Sequence, residues 1–154
     1  MDMINHQDVN AVRDRLNEAK YVNEAAEGFL KAFASALSDS GYSGFGVSIE
    51  GVEKDRLAVQ SPYGEVIAQL DHVLRDGEIT GRLRFYLSEK SIGDEPVILQ
   101  FWSIEIDRQR HVFESDKSDA KWNFSSPLQG DDVIYSLAVL MFHKLHNALS
   151  QRVS

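Results

Sequence analysis

EVIAQLDHVLRDGEITGRLRFYLS, residues 65–88, reads as two strands joined by Asp76-Gly77, the dipeptide that supplies the positive φ angles of a two-residue type I′ turn. With those two residues as the loop, pairing runs outward from Arg75 opposite Glu78. Leu74 then faces Ile79, His72 faces Gly81, Leu70 faces Leu83, Ala68 faces Phe85 and Val66 faces Leu87. Side chains alternate across a strand, so this set shares one apolar face that must be covered. The other face pairs Val73 with Thr80, Asp71 with Arg82, Gln69 with Arg84 and Ile67 with Tyr86, and is mostly polar. A slip of one residue would bury Arg82 and Arg84 without partners, a cost that pins the register.

Working outward from the hairpin, the N-terminal side shows a helix. Val9, Val12, Leu16, Ala19, Ala26, Leu30, Phe33 and Leu37 recur by threes and fours as one stripe. Asn5 or Asp8 caps its start, and Ser38 to Gly41 is expected to end it through glycine. Asn23 interrupts the stripe and Gly28 costs about 1 kcal/mol relative to alanine, which leaves open whether the helix is continuous there. An Asn at such a position can set register in a coiled coil; the simpler expectation is an N-terminal half that is only partly covered. Next, Gly41 to Gly46 lacks the spacing of a phosphate loop and leads into a strand rather than a helix, so it reads as a turn. Phe45, Val47 and Ile49 alternate inward in a first strand, Leu57 and Val59 in a second, and Pro62 to Gly64 turns the chain into the hairpin.

On the C-terminal side, Val97 to Ile106 is apolar on both faces, as expected of a central strand or one that switches face at a bulge. If Val97, Leu99 and Phe101 point inward, then Ile98, Trp102, Ile104 and Ile106 join Ile67 and Tyr86 on the outer face, rimmed by Arg82 and Arg84. That apolar patch with an aromatic centre has the composition of a protein interface. The competing arrangement is a bulge near Gln100 and Phe101 that turns Trp102, Ile104 and Ile106 inward. Short strands follow at His111 to Glu114 and around Trp122 to Phe124. Ser126-Pro127-Leu128-Gln129 resembles a capping box and Gly130-Asp131 a later cap, either opening a helix to about Ser150. Its middle, Val133 to Phe142, is apolar nearly all round and predicts burial on more than one side.

The predicted fold is therefore α+β: a two-layer domain with an antiparallel meander of about five to seven strands and both terminal helices on one face. A chain of 154 residues makes one domain with an adequate core. The absence of cysteine rules out disulfides, iron–sulfur clusters, thiolate zinc and a cysteine nucleophile. No basic-then-apolar leader and no membrane-length apolar run is seen, so a cytoplasmic location is expected and membrane contact is not. A formal charge of −8 argues against binding nucleic acid through its phosphates and suits solubility or a basic protein partner.

Candidate chemistry is sparse. His72, opposite Gly81 whose missing side chain leaves room for an imidazole, is expected either as a core histidine bonded to backbone or Tyr135, or as a ligand or general base in a pocket with Tyr135 or Trp122. His143 and His146 lie three apart, but two imidazoles without a third ligand do not make a zinc site; charge at the helix C-terminus accounts for them. Glu105 and Asp107 share a strand face beside Arg108 and Arg110, which suggests a self-neutralising strand end. No cofactor or metal is expected. The leading expectation is a non-enzymatic protein-binding protein of adaptor, inhibitor or chaperone type, associating with itself as a homodimer and with another protein. The alternative is a small-molecule-binding or enzymatic domain with its pocket around His72.

Overall fold

In a computed structural model the chain forms α1 (His6–Leu37), a short α2 (Ser40–Ser43), seven strands and α3 (Gly130–Ser150). The strands are β1 (Ser48–Val52), β2 (Arg56–Ser61), β3 (Gly64–Arg75), β4 (Glu78–Glu89), β5 (Val97–Ile106), β6 (His111–Glu114) and β7 (Trp122–Asn123). The structure describes residues 5–90, 92–93, 95–117, 122–125 and 130–152. All seven strands lie in one sheet in chain order, each antiparallel to the next, so no crossover connection is required. Both long helices pack on one face, giving the two-layer α+β arrangement.

The β3–β4 hairpin has the register that its turn dictates, from Arg75 opposite Glu78 to Glu65 opposite Ser88. Asp76 and Gly77 carry φ of 50° and 81°, the left-handed values a type I′ turn needs. Val66, Ala68, Leu83, Phe85 and Leu87 on the covered face are all buried. Gly81 has a purpose other than making room for His72. A Cβ built there would lie 3.0 Å from both Leu70 Cδ1 and Val22 Cγ1, so the missing side chain lets α1 sit down on the sheet.

Strand β5 carries the bulge. Phe85 pairs with Trp102 but Tyr86 pairs with Gln100, which leaves Phe101 as the extra residue. The bulge changes the phase of the alternation. Leu99 before it and Trp102, Ile104 and Ile106 after it all face the helices, the last three 6%, 0% and 0% exposed. The outer-face placement of Trp102, Ile104 and Ile106 is therefore corrected. The physical reason is packing: Trp102 lies 4.9 Å from Phe85 between ring centroids, and turning three large apolar groups inward gains about 1.5–3 kcal/mol apiece. Val97, expected inward, is 52% exposed at the strand end.

Helix α1 is continuous through Asn23 and Gly28, which settles its continuity. Asn5 and Asp8 cap it together, each side chain bonding the other's backbone N–H. It ends at Leu37 with Ser38 in a right-handed conformation; Gly41 falls inside α2, and the left-handed glycine comes later, at Gly46, with φ of 84°. From Val22 onward the stripe is buried, and Phe29 and Phe33 tie it to Phe124 and Phe85 with centroid separations of 5.4 and 5.9 Å.

Helix α3 begins at Gly130, where a Cβ would approach Phe124 O to 2.8 Å; the Ser126 to Gln129 capping signature lies outside the described residues. Its buried positions, Ile134, Leu137, Ala138, Met141 and Leu145, form a single stripe. The expected burial on several sides is not found. Helix α3 lies beside α1 on the sheet, leaving Tyr135 and Val139 exposed at 43% and 54%. Lys144 reaches from α3 to Glu114, a buried carboxylate on β6, at 3.4 Å.

Candidate binding surfaces

The outer sheet face carries a polar network centred on Asp71. Arg82 grips Asp71 with Nε at 3.0 Å and Nη2 at 2.7 Å, and Arg84 approaches the same carboxylate at 3.1 Å. The forked bond from Arg82 holds the Asp71 carboxyl below the usual carboxylate range despite some desolvation. Glu105, expected at a solvated strand end, is 5% exposed: Arg75 Nη1 and Thr80 Oγ1 each donate to it at 3.0 Å, and Arg75 also stacks 4.6 Å above the Phe113 ring. Asp107 instead turns to His111 at 2.9 Å, so the two carboxylates do not work as a pair. Among the interface candidates, Ile67, Tyr86, Arg82 and Arg84 are half-buried in this face, and Ile98 is exposed.

The three side chains expected to share a pocket at His72 are not brought together, although His72 itself lines a groove between α1 and β3. His72 is exposed, and its Nε2 meets Asn23 Oδ1 at 2.6 Å, so the polar residue of the α1 stripe and the polar residue of the covered sheet face satisfy each other. Tyr135 donates its hydroxyl to Asp39 at 2.7 Å, at the far end of α1, and Trp122 sits half-buried in β7. These three side chains belong to different regions.

A cleft forms elsewhere, where three segments distant in sequence meet. Helix α2 and the turn after it supply Tyr42, Phe45 and Val47; the β2–β3 turn supplies Pro62 and Tyr63; α3 supplies Val139, Phe142, His143 and His146. Its volume is about 400 Å³. Gly46 sets the approach, because its left-handed backbone places the chain against Pro62, with 3.4 Å from a built Cβ to Pro62 Cγ. The Tyr42 ring stacks on Phe142 at 5.4 Å, and desolvation there raises the Tyr42 hydroxyl above its ordinary pKa. Tyr63 stands edge-on to His146, with its hydroxyl oxygen 2.8 Å from Nε2. Phe45, expected to point inward, is 77% exposed, and with Val139 and Tyr63 it forms an open apolar rim. The sequence singled out His143 and His146 only for their spacing. The signal that pointed here was the surplus apolar surface of α3.

One pair of carboxylates, Glu50 and Glu65, shares a hydrogen bond. Glu65 is pushed up, first by its hydrogen bond with Glu50, while the Gln60 amide at 2.5 Å is the largest influence holding Glu50 down. Arg56 stands 4.0 Å from Glu65, and the pair is open to solvent. Among the described residues no group of three or more His, Asp or Glu side chains is placed to hold a metal ion, and no helix is long and apolar enough to cross a membrane. Comparison of the chain with known protein families, with characterised proteins and with solved structures finds no match.

Proposed function

We propose that this protein is a non-catalytic binding domain that holds an apolar segment of another protein in the cleft between α3 and the turns at Phe45 and Tyr63. The observation that carries this reading is an aromatic cleft whose rim residues Phe45, Val139 and Tyr63 are left in water. Folding alone gives no reason to leave a phenylalanine 77% exposed, and aromatic anchors of this kind supply most of the energy of protein interfaces. An enzyme pocket needs polar groups aimed at the reacting atoms. Here Tyr63 and His146 point at each other, so what the cleft offers an occupant is mainly apolar surface.

A small apolar ligand is the second reading, favoured by a volume of about 400 Å³, which falls within the roughly 300–1,000 Å³ of ligand sites. Phe45→Asp and Val139→Asp separate the readings, because both positions are exposed and the variants keep their fold. The proposal expects each to abolish co-purification of a protein from source lysate that the parent chain retains through gel filtration. A parent chain that carries only a small molecule, released by the same substitutions, would overturn it. Self-association of the expected homodimeric kind is read from the mass of the retained complex.

A further inference from the structure

Val139, Phe142, His143 and His146 recur at i, i+3, i+4 and i+7, so they form one face of α3, apart from its buried stripe, and that face is the helix wall of the cleft. Half of it is imidazole, the side chain that changes charge between about pH 5 and pH 8. Tyr42 from α2 and Tyr63 from the β2–β3 turn are the titratable groups that face the two histidines. Tyrosine hydroxyls stay protonated across that range, and desolvation moves Tyr42 further from it. Among the described residues no Asp, Glu, Lys or Arg lines the cleft. The charged neighbours are turned elsewhere: Lys144 to Glu114, Arg152 to Glu89, and Asp39 to the Tyr135 hydroxyl. Glu65, Glu89, Lys90 and Glu95 line a neighbouring groove that shares only Tyr63 with the cleft.

Only the neutral imidazoles suit an apolar occupant. In the tautomer that leaves His146 Nε2 unprotonated, that nitrogen accepts the Tyr63 hydroxyl proton across 2.8 Å, and the two polar groups satisfy each other. Protonation turns Nε2 into a donor. The Tyr63 hydroxyl must then direct its own proton to water, which an apolar occupant displaces, and the imidazolium itself loses hydration when it is covered. His143, one helical turn away, adds a second like charge to the same wall. We propose, on the reading that the cleft is the binding site, that protonation of His143 and His146 releases the occupant, so the cleft binds at neutral pH and empties in mild acid. An imidazole that must be neutral to be covered weakens binding in proportion to its neutral fraction, which for an ordinary histidine falls about tenfold from about pH 7.5 to about pH 5.5.

The test titrates the full chain with N-phenyl-1-naphthylamine, an apolar fluorophore that stays uncharged over this range, so any pH dependence belongs to the protein. Its dissociation constant is expected to rise about tenfold between those two pH values for each imidazole it covers. The double variant His143→Gln with His146→Gln should bind it equally at both. In the parent chain, the carbon-bound ring proton signals of the covered histidines should titrate at lower pH with the probe present than without it. Weakening of less than about threefold, tighter binding in acid, histidine signals that titrate alike with and without the probe, or the same acid loss in the double variant would overturn the switch and leave the cleft standing. A probe that does not bind at neutral pH, or whose binding Val139→Asp leaves untouched, would overturn the cleft reading and the switch with it.

Discussion

Replacing Gly81 by alanine tests whether α1 rests on the sheet as closely as described. The added methyl would meet Leu70 Cδ1 and Val22 Cγ1 at 3.0 Å, several tenths of an ångström inside ordinary contact, and Val22 is fully buried. Overpacking of this kind costs about 1–3 kcal/mol. Relief of glycine's extra chain entropy in a strand returns roughly 0.5–1 kcal/mol, so the net expected loss lies between about 0 and 2.5 kcal/mol. Urea unfolding followed by fluorescence gives the value through linear extrapolation. Val22→Ala removes one of the two crowded methyls, so the double variant should be less destabilised than the sum of the singles by at least about 0.5 kcal/mol. Strict additivity, or a Gly81→Ala protein more stable than its parent, would refute the close approach and reopen the idea that Gly81 makes space for His72.

Three further predictions follow from the core and the outer face. Trp102→Asp should lose at least about 3–5 kcal/mol and leave little folded protein by circular dichroism, because it places a carboxylate at a site only 6% exposed; a well-folded variant would put Trp102 back on the surface. Leu137→Ala, at a fully buried position of α3, should cost about 2–5 kcal/mol in the same urea assay with an unchanged slope, and a loss below about 1 kcal/mol would remove α3 from the core. Asp71 has a lowered pKa, so it stabilises the fold at pH values above its unfolded value near 3.9 and stops doing so as pH falls through its lowered folded value. Asp71→Asn should therefore reduce stability at neutral pH by about 0.2–1 kcal/mol, a size set by its partial exposure, and the gap to the parent should close below about pH 4; a gap that widens in acid would contradict the pairing.

What could be read from the sequence was local. Asp76-Gly77 fixes a backbone conformation within four residues, and once the turn is set the alternation of β3 and β4 follows without further information. The capping of α1 by Asn5 and Asp8 is equally short-range. The phase of β5 was not local. Both faces of Val97 to Ile106 are apolar, so the choice between an outer patch and the bulge near Gln100 and Phe101 depends on Phe85 across the strand and on the helices above. The His72–Asn23 bond joins two residues that each looked anomalous alone, a stripe interrupted by Asn and an apolar face interrupted by His. The aromatic cleft was hidden for the same reason, because its walls come from three distant segments and Phe45 continued the inward alternation of the first strand on paper. The backbone breaks that alternation at Gly46, before β1 begins.

The most direct test of the proposed function is photo-crosslinking in the source cells from a benzoyl-phenylalanine placed at Phe45, with Val52 on β1, 39% exposed and outside the cleft, as the control position. The proposed function predicts one discrete adduct to a different protein from position 45, none from position 52, and loss of the adduct when Val139→Asp is added. No adduct from a folded, labelled protein, the same adducts from both positions, or an adduct indifferent to Val139→Asp would contradict it.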